Sequence, residues 1–572
     1  MADGVAAETD SGSGADTVNG QVECSPQRGM DGSNKRYDRQ IRIWGAHGQQ
    51  RLEKCRVVLL NCGPTGSETL KNLVLGGIAS FTVVDGAKVS ARDLGNNFMV
   101  ESSRLGEPRA KVVTELVKEL NDAVAGSYVE ESPEQLLATN PQFIAEFTVV
   151  IATQMCEGDL VRLDEECRKH NVLLLAVRSY GLMGWLRPSI PEHHVVESKP
   201  DNIVDDLRLY QPWPQLLELA LSFDLAALDD ITHRHLPFVL LLAQAGHSWR
   251  NAHGGSPPAS SKERAAFKEE LRGLRRTLQG VAVEVKNFEE AEKAAFHVWT
   301  PYVIPSEVRE LLEDEAASAA AQGLTTPVFW VMVAALKLFV AHEGEGTYLP
   351  LDGSIPDMHS TTDLYLRVQR LYRERAERDV SAVEAHVNAL LARAGRDAGS
   401  IPRETIRHYC KNARNLRLVR YRSLAAEFAS TASPSDSKPR GASPSLAQSL
   451  ASEGTAATAA LYVLLRAADR FLAAHGRFPG CRLEGSGEED APLLKSLAHA
   501  VMAEMGAASA SLQDDYLQEM VRFGAGELHV VAAFMGGMAA QEIIKLVTGQ
   551  FTPVAGTMVY TAMGCTTSCF EF

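Results

Sequence analysis

Short apolar runs alternate with amphipathic stretches from residue 36 to about residue 189. Runs rich in Val, Ile and Leu predict four buried strands, at residues 56–61, 81–85, 147–152 and 172–177. Between two of these runs, the stretch RAKVVTELVKELN places its apolar residues on one helical face. Strands that alternate with amphipathic helices are typical of a doubly wound α/β fold with a parallel sheet.

Helical periodicity dominates from about residue 200 to residue 510. The apolar stretch at residues 328–341 predicts a helix with Thr326 as its N-cap and Pro327 at its first helical position. Apolar residues at helical spacing continue further along the chain, and we interpret their faces as core rather than as cofactor sites. These residues are Leu364, Val368, Leu371, Tyr372, Val380, Val383, Val387, Leu390 and Leu391.

The last sixty residues return to the α/β pattern, with a helix predicted to end at Gly549 as its C-cap and a strand at residues 557–560. We therefore expect a Rossmann-like α/β domain with a mostly parallel sheet, interrupted by a large, mainly helical insertion. The predicted segments are a disordered tail (1–34), the first part of the domain (35–190), the insertion (191–510, with a flexible stretch at 430–453) and the closing part (511–572).

Composition excludes several classes of protein. The chain has 572 residues, with 57 Lys and Arg against 72 Asp and Glu, and this formal net charge of −15 argues against nucleic acid and anionic membranes as partners. The N-terminal stretch has no apolar core of a secretory signal, and the apolar run at 328–341 is too short to span a bilayer. Nine scattered cysteines do not suggest a disulfide framework, so we expect a cytoplasmic or nuclear protein.

The sequence NCGPTG, which follows the first predicted strand, is similar to a dinucleotide-binding loop. Gly63 and Gly66 occupy the second and third glycine positions, but Asn61 replaces the first glycine and Pro64 removes one backbone donor. Asp85 follows at the distance where an acid would bind a ribose. The loop alone is compatible with a nucleotide site or with a turn that only packs a helix against a strand.

Three longer segments resemble the adenylation fold of ubiquitin-like-protein activating enzymes. They are RYDRQIRIWGAHGQQRL, LKNLVLGGIASFTVVDG and AAFMGGMAAQEIIKLVTGQFTP. Within that family, the segments SYGLMGWLRP, ESKPDNIVDDLRL, GSIPDM and LYVLLRAADRF are most similar to the regulatory, non-catalytic subunits of heterodimeric neddylation-activating enzymes. The resemblance runs from about residue 36 to residue 572 and implies two partners, a catalytic subunit and a ubiquitin-like modifier.

The chain departs from the pattern of active adenylation domains at several positions. Asn96-Asn97-Phe98 replaces a stretch that carries an arginine and a glutamine, Arg109 stands where a lysine is expected, and Thr153-Gln154-Met155 replaces an aspartate that could hold Mg²⁺. Without that carboxylate, the charge of a metal–triphosphate complex would be poorly compensated. The resemblance therefore implies that this chain binds no cofactor and that the partner subunit binds ATP and Mg²⁺.

The resemblance implies one catalytic contribution, from Arg39 acting in trans on ATP bound by the partner. A guanidinium is always charged and can donate to two phosphate oxygens, although a surface ion pair is the alternative interpretation. Cys410 and Cys481 do not resemble a thioester-forming cysteine. Cys565 and Cys569 are separated by three residues rather than two, so no metal site is expected.

The loop after the 328–341 helix is a candidate for contact with the partner, through turn-forming glycines and alternating apolar residues. Its candidate residues are Glu345, Leu349, Leu351, Asp352 and Ile355. Two other functions stay open from the sequence. The chain could be an autonomous NAD(P)-dependent oxidoreductase that uses the glycine loop, or a pure scaffold that contributes no catalytic atom.

Overall fold

The computed structural model describes residues 36–200, 205–278, 281–282, 285–323, 327–429, 444–481 and 489–572. The predicted tail at 1–34 lies outside the described residues, as does most of the predicted flexible stretch. Residues 446–451 of that stretch form a short helix, which begins with a capping box at Ser445 and Gln448. The flexible segment predicted at 430–453 therefore extended too far.

An eight-stranded sheet lies at the centre of the fold. All strands of the described residues, within and outside this sheet, are in chain order β1 (Arg56–Leu60), β2 (Ser80–Val84), β3 (Ala125–Val129), β4 (Val149–Thr153), β5 (Leu173–Tyr180), β6 (Met183–Ser189), β7 (His193–Val195), β8 (Thr277–Leu278), β9 (Val281–Ala282), β10 (Arg417–Val419), β11 (Thr557–Thr561) and β12 (Thr566–Phe570). The order in the large sheet is β12-β11-β6-β5-β4-β1-β2-β3. Strands β1 to β5 pair in parallel, whereas β6, β11 and β12 add antiparallel pairs at one edge. The predicted mostly parallel α/β sheet is confirmed.

Helices form the layers that cover this sheet, and they also make up most of the remaining described chain. They are α1 (Asp38–Leu52), α2 (Pro64–Gly76), α3 (Arg109–Leu120), α4 (Pro133–Thr139), α5 (Glu157–Lys169), α6 (Pro214–Leu221), α7 (Asp230–His235), α8 (Phe238–Ala252), α9 (Ser261–Gly273), α10 (Lys286–Ala294), α11 (Phe296–Trp299), α12 (Ser306–Glu313), α13 (Glu315–Ala321), α14 (Val328–Ala341), α15 (Thr362–Arg393), α16 (Arg403–Lys411), α17 (Leu424–Phe428), α18 (Leu446–Ala451), α19 (Ala456–His475), α20 (Asp490–Glu504), α21 (Asp514–Phe523) and α22 (His529–Thr548).

Both faces of the sheet are buried at its centre, which explains why β1, β4 and β5 are continuous apolar runs. Val57 and Leu59 of β1 face a core shared with α2, α3 and α22. Val58 and Leu60, which alternate with them, face a second core shared with α5 and α19 to α21. This period of two places apolar residues on both sides of one strand.

The arrangement of the second core corrects the predicted domain boundaries. The predicted insertion at 191–510 includes most of helices α17 to α21, but these helices cover one face of the sheet and belong to the α/β domain. The insertion proper lies between β7 and β10 and has its own two cores. Helical periodicity shows that a helix has an apolar face, but it does not show which surface that face covers.

The ends of two predicted helices have different outcomes. Gly549 ends α22 with φ +66°, and its N–H donates to Lys545 O, so the predicted C-cap is confirmed. Pro327 is the N-cap of α14 rather than its first helical residue, and Thr326 lies outside the described residues.

By length and apolarity α22 could also cross a bilayer, but half of its most apolar window is buried inside the fold, as expected for a core helix.

Candidate functional site

The glycine loop connects β1 to α2 at the carboxyl edge of the parallel strands, where open α/β sheets bind ligands. Asn61 takes the position of the missing glycine with φ +65°, a conformation that asparagine tolerates. Its side-chain Nδ2 donates to Thr153 O at 3.0 Å. A Cβ on Gly66 would lie 2.5 Å from Asn61 O, so the close approach of helix and loop requires glycine there. The loop thus keeps the shape of a nucleotide-binding turn.

The carboxylate of Glu527 lies in front of the first turn of α2. Its Oε1 accepts hydrogen bonds from Thr65 N at 3.3 Å, from Thr65 Oγ1 at 2.7 Å and from Ser179 Oγ at 3.3 Å. A Cβ added to Gly63 would lie 2.7 Å from Glu527 Oε2. Helix N-termini favour anions because their first N–H groups are unpaired and the helix dipole is positive there. A carboxylate of the chain itself therefore occupies the place where a phosphate would approach the loop.

The backbone around Glu527 is fixed on both sides. Gly181 N donates to Gly526 O at 2.7 Å, and Asn96 Nδ2 donates to Glu527 O at 2.9 Å. His529 Nδ1 lies 3.1 Å from Asn96 O. Because these contacts anchor the segment between α21 and α22, the carboxylate is held against the loop.

Asp85, the predicted ribose ligand, is 2% exposed and makes contacts within the fold. Its carboxylate accepts from Cys62 N at 2.9 Å and from Ala87 N at 2.8 Å, and it forms an ion pair with Arg109 at 2.8 Å. Burial alone would lower the pKa of Arg109, but Asp85, with Asp93 on the other side of the guanidinium, outweighs burial and raises it. Asp85 therefore holds the loop and Arg109 together.

Other residues that depart from the active pattern make hydrogen bonds at the loop or beside it. Asn97 Nδ2 donates to Cys62 O at 3.0 Å, and Gln154 Nε2 donates to Ser179 O at 2.8 Å. Thr153 Oγ1 donates to Asn61 O at 2.5 Å. In this geometry amide and hydroxyl groups tie the loop to β4 and to the segment after β2, and they join the end of β4 to β5.

Helix α1 is anchored to the end of α2 by side chains that flank Arg39. Tyr37 packs against Gly77, where a Cβ would lie 2.5 Å from the Tyr37 ring. The Tyr37 hydroxyl accepts from Asn121 Nδ2 at 2.9 Å, and Gln40 Nε2 donates to Leu75 O at 3.5 Å. These contacts fix the helix without using Arg39.

Arg39 itself is exposed. Within the described ranges, no carboxylate lies within ion-pair distance of its guanidinium, whereas Arg42 on the same helix pairs with Asp38 at 3.0 Å. The alternative interpretation of Arg39 as a member of a surface ion pair therefore has no support in the described part of the chain. As far as the described residues go, the guanidinium is available to an anion outside this chain.

Four large apolar side chains are exposed near the loop. Phe98 is 71% exposed and Val530 is 79% exposed, and Leu528 and Phe534 are also exposed. The two segments that carry these side chains are joined by the contacts of Asn96 with Glu527 and His529. We call Phe98, Leu528, Val530 and Phe534 the loop-side apolar surface.

The structure corrects the predicted partner loop at two positions. Leu349 is 0% exposed and Leu351 is 1% exposed, so neither side chain is available to a partner. Each packs in one of the two cores of the insertion, and Leu351 N donates to Asp379 Oδ2 at 2.9 Å. Alternating apolar residues in a loop can anchor it to its own domain as readily as to another protein. Glu345 is exposed, while Asp352 and Ile355 are half-buried.

Glu527 was not found from the sequence. It lies 462 residues from Thr65, and the segment RFGAGELHV around it carries no recognisable motif. Only the return of the closing segment across the sheet brings its carboxylate to the loop.

Comparison with known proteins identifies the family of this chain. A family model described as the ThiF family matches residues 37–567. The NEDD8-activating enzyme E1 regulatory subunit AXR1 of Arabidopsis thaliana is 46% identical over 526 residues, which cover 92% of this chain and 94% of that protein. The NEDD8-activating enzyme E1 regulatory subunit of Xenopus laevis is 42% identical over 538 residues, which cover 94% of this chain and 98% of that protein. The chain therefore belongs to the ThiF family and, within it, to the NEDD8-activating enzyme E1 regulatory subunits, non-catalytic subunits of a modifier-activating enzyme.

Proposed function

We propose that this chain is one half of a heterodimer that activates the ubiquitin-like modifier NEDD8 by adenylation and thioester formation. In this proposal the catalytic subunit binds ATP and Mg²⁺ and carries the reactive cysteine. This chain binds no nucleotide and supplies an arginine in trans, together with surface for the partner and the modifier. The position of the Glu527 carboxylate at the first turn of α2 is the observation that carries the proposal.

Charge repulsion supports the absence of a nucleotide on this chain. Two like charges about 4 Å apart repel by about 4 kcal/mol at the effective dielectric constant near a protein surface. A phosphate at the loop would meet the Glu527 carboxylate and would find Thr65 N already used. The carboxylate of Asp85 is likewise not free to bind a ribose, because it accepts a hydrogen bond from Cys62 N and pairs with Arg109. The same contacts weigh against an NAD(P)-dependent oxidoreductase.

The guanidinium of Arg39, which has no carboxylate partner among the described residues, supports the role in trans. A hydrogen bond from an arginine to a phosphate involves charged groups and contributes about 1.5–3 kcal/mol. If this contact forms in the transition state of adenylation, its loss lowers the rate by roughly 10- to 100-fold. The anchored neighbours of Arg39 would hold the helix in place for this contact.

The loop-side apolar surface supports docking of the catalytic subunit. Exposed apolar clusters on soluble proteins commonly mark protein–protein contacts. Phe98 and Phe534 are aromatic, and aromatic side chains are enriched among the residues that dominate binding energy. We propose that the catalytic subunit covers this surface.

The test of the role in trans uses the reconstituted heterodimer with Arg39→Ala and, as a matched control on the same exposed helix, Arg42→Ala. Modifier-dependent exchange of pyrophosphate into ATP reports adenylation, and light scattering after size exclusion reports assembly. We expect R39A to assemble normally and to slow exchange by roughly 10- to 100-fold, with R42A close to wild type. Unchanged exchange in R39A would leave only the scaffold function.

Nucleotide binding is tested separately by calorimetry of the isolated chain with ATP, NAD(H) and NADP(H). We expect no heat of binding from any of them. Tight binding of NAD(H) or NADP(H) would favour the oxidoreductase, and tight binding of ATP would contradict the assignment of the nucleotide to the partner.

A further inference from the structure

Three potential metal ligands from distant segments meet beside α1. His47 lies on α1, Glu197 follows β7 and His408 lies on α16. Their ligand atoms all lie within 4.8 Å of one another, and this is the one such group of three found among the described residues. The group belongs neither to the glycine loop nor to the environment of Arg39.

The distances match those of a metal site. His408 Nε2 lies 3.2 Å and His47 Nε2 lies 3.6 Å from Glu197 Oε1. Zn²⁺ binds His nitrogen and carboxylate oxygen at about 2.0–2.2 Å, so tetrahedral ligand atoms are separated by about 3.3 Å. One oxygen of Glu197 therefore faces both imidazoles at nearly the separation that a shared ion requires.

The surroundings hold Glu197 in place. Phe551 N donates to Glu197 O at 2.8 Å, and Val196 N donates to Gly549 O at 3.1 Å. On the other side, Ser198 N donates to Asn415 O at 3.3 Å. Both the closing segment of the α/β domain and the end of the insertion therefore fix the backbone that presents this carboxylate.

The surroundings also define which nitrogen of His47 can accept a metal. Gln550 Nε2 donates to Trp44 O at 2.8 Å, and Gln550 Oε1 accepts from Lys199 Nζ at 2.8 Å, which fixes the orientation of the amide. The same Nε2 lies 3.3 Å from His47 Nε2. His47 Nε2 therefore carries a lone pair, which faces this N–H at 3.3 Å, and a bound metal would replace this long contact.

Among the described residues, Lys199 is the lysine that pairs with the carboxylate, while Arg51 lies in electrostatic range of both imidazoles and Lys411 in range of His408. The position of Lys199 leaves the site open. Its Nζ lies 3.6 Å from Glu197 Oε2 and donates to Ile43 O at 2.7 Å as well as to Gln550 Oε1. The lysine therefore engages the oxygen that points away from the imidazoles and makes its shortest contacts elsewhere. Glu197 Oε1 stays directed at His47 and His408.

We propose that His47, Glu197 and His408 bind one Zn²⁺ ion, with a fourth position open to solvent. Two imidazoles and one carboxylate are ligands that Zn²⁺ accepts, and three protein ligands leave one position for water. The ion would join α1 of the α/β domain to α16 of the insertion through the segment that connects them. Gly45, with φ +71°, bends α1 just before His47, so the ion would also fix the part of α1 that follows the bend.

The experiment titrates Co²⁺, as a spectroscopic substitute for Zn²⁺, into the full chain after treatment with a chelator. The variants are His47→Ala, Glu197→Gln and His408→Ala. His386→Ala is the matched control, because His386 pairs with Glu343 at 2.9 Å outside any group of three ligands among the described residues. Competition with Zn²⁺ then gives the affinity for Zn²⁺, and thermal unfolding with and without the ion shows that each variant is folded.

We expect one Co²⁺ per chain, with the visible absorption of a tetrahedral site and no sulfur-to-metal charge-transfer band. Each ligand variant should lower the affinity at least about tenfold and abolish the rise in Tm produced by the ion, whereas H386A should match the wild type. Equal binding in all ligand variants, a charge-transfer band from a thiolate, or no binding at millimolar Co²⁺ would each overturn the proposal.

Discussion

Replacing Glu527 by alanine removes the carboxylate from the first turn of α2 and leaves the rest of the loop unchanged. Three donor contacts are lost, from Thr65 N, Thr65 Oγ1 and Ser179 Oγ. Thr65 and Ser179 are buried, but their hydroxyls also bond to each other at 2.7 Å and so keep one partner. The principal loss is therefore the charged acceptor at the helix N-terminus.

The magnitude follows from these contacts. A hydrogen bond to a charged group is worth about 1.5–3 kcal/mol, and an anion at a helix N-terminus adds about 0.3–1 kcal/mol. Because Glu527 is only half-buried, water can replace part of the lost hydrogen bonding. We therefore expect E527A to lower the free energy of unfolding by about 2 kcal/mol. E527Q keeps the shape and one oxygen acceptor but loses the charge, and we expect it to cost about 1 kcal/mol. For an α/β domain of about 300 residues, with an unfolding entropy of about 2.1 cal/mol/K per residue, these values correspond to falls in Tm of roughly 3 °C and 1.5 °C.

Scanning calorimetry measures these shifts, and amide hydrogen exchange at Thr65 shows whether α2 opens locally. Glu519→Ala is the matched control, because Glu519 forms only a surface ion pair with Arg522 and should change the free energy of unfolding by less than about 1 kcal/mol. If E527A unfolds at the same temperature as E519A and the wild type, and amide exchange at Thr65 is unchanged, the carboxylate does not stabilise this helix and its role at the loop is refuted.

Two further predictions concern buried positions. Burial, aided by the neighbouring His194, lowers the pKa of His193 to about 4, so the unfolded chain takes up this proton first as the pH falls below about 6.5. The wild type should therefore lose about 2 kcal/mol more stability between pH 6.5 and pH 5 than His193→Gln, and equal losses in urea unfolding would contradict this. Gly66→Ala places a Cβ 2.5 Å from the backbone oxygen of Asn61 and should lower the free energy of unfolding by about 1–3 kcal/mol. Gly158→Ala is the control, because no atom lies within 4 Å of its Cβ, and it should be neutral or stabilising. Comparable Tm values for the two variants would show that the loop adjusts to the added methyl group.

The sequence was sufficient where the physical cause is local. Apolar runs buried on both faces identify strands β1, β2, β4 and β5 to within a few residues, because a strand covered on both sides needs apolar residues at every position. Asn61 could be interpreted from its own backbone preference, since it is among the few residues that tolerate a positive φ. The family resemblance, too, rests on contiguous motifs such as RYDRQ.

Strands that lack this local signature were missed. In β3 most side chains are at least partly exposed, and in β12 the first two residues and Cys569 are exposed, so neither strand is an apolar run. The packing of α17 to α21 on the sheet was missed for a related reason, since the apolar face of a helix fits a sheet and a helical bundle equally well. Leu349 and Leu351 were assigned to a partner because a sequence does not distinguish an apolar residue that faces its own core.

By itself, the sequence determined that this chain has an α/β fold of the adenylation type with a degenerate glycine loop and an arginine in the opening helix. Only the tertiary structure decided what occupies that loop, because Glu527 reaches Thr65 across 462 residues of chain. The same holds for His47, Glu197 and His408, which converge from three elements. Local sequence fixes backbone preference and apolar periodicity, whereas the meeting of distant polar groups depends on how the chain returns to the sheet.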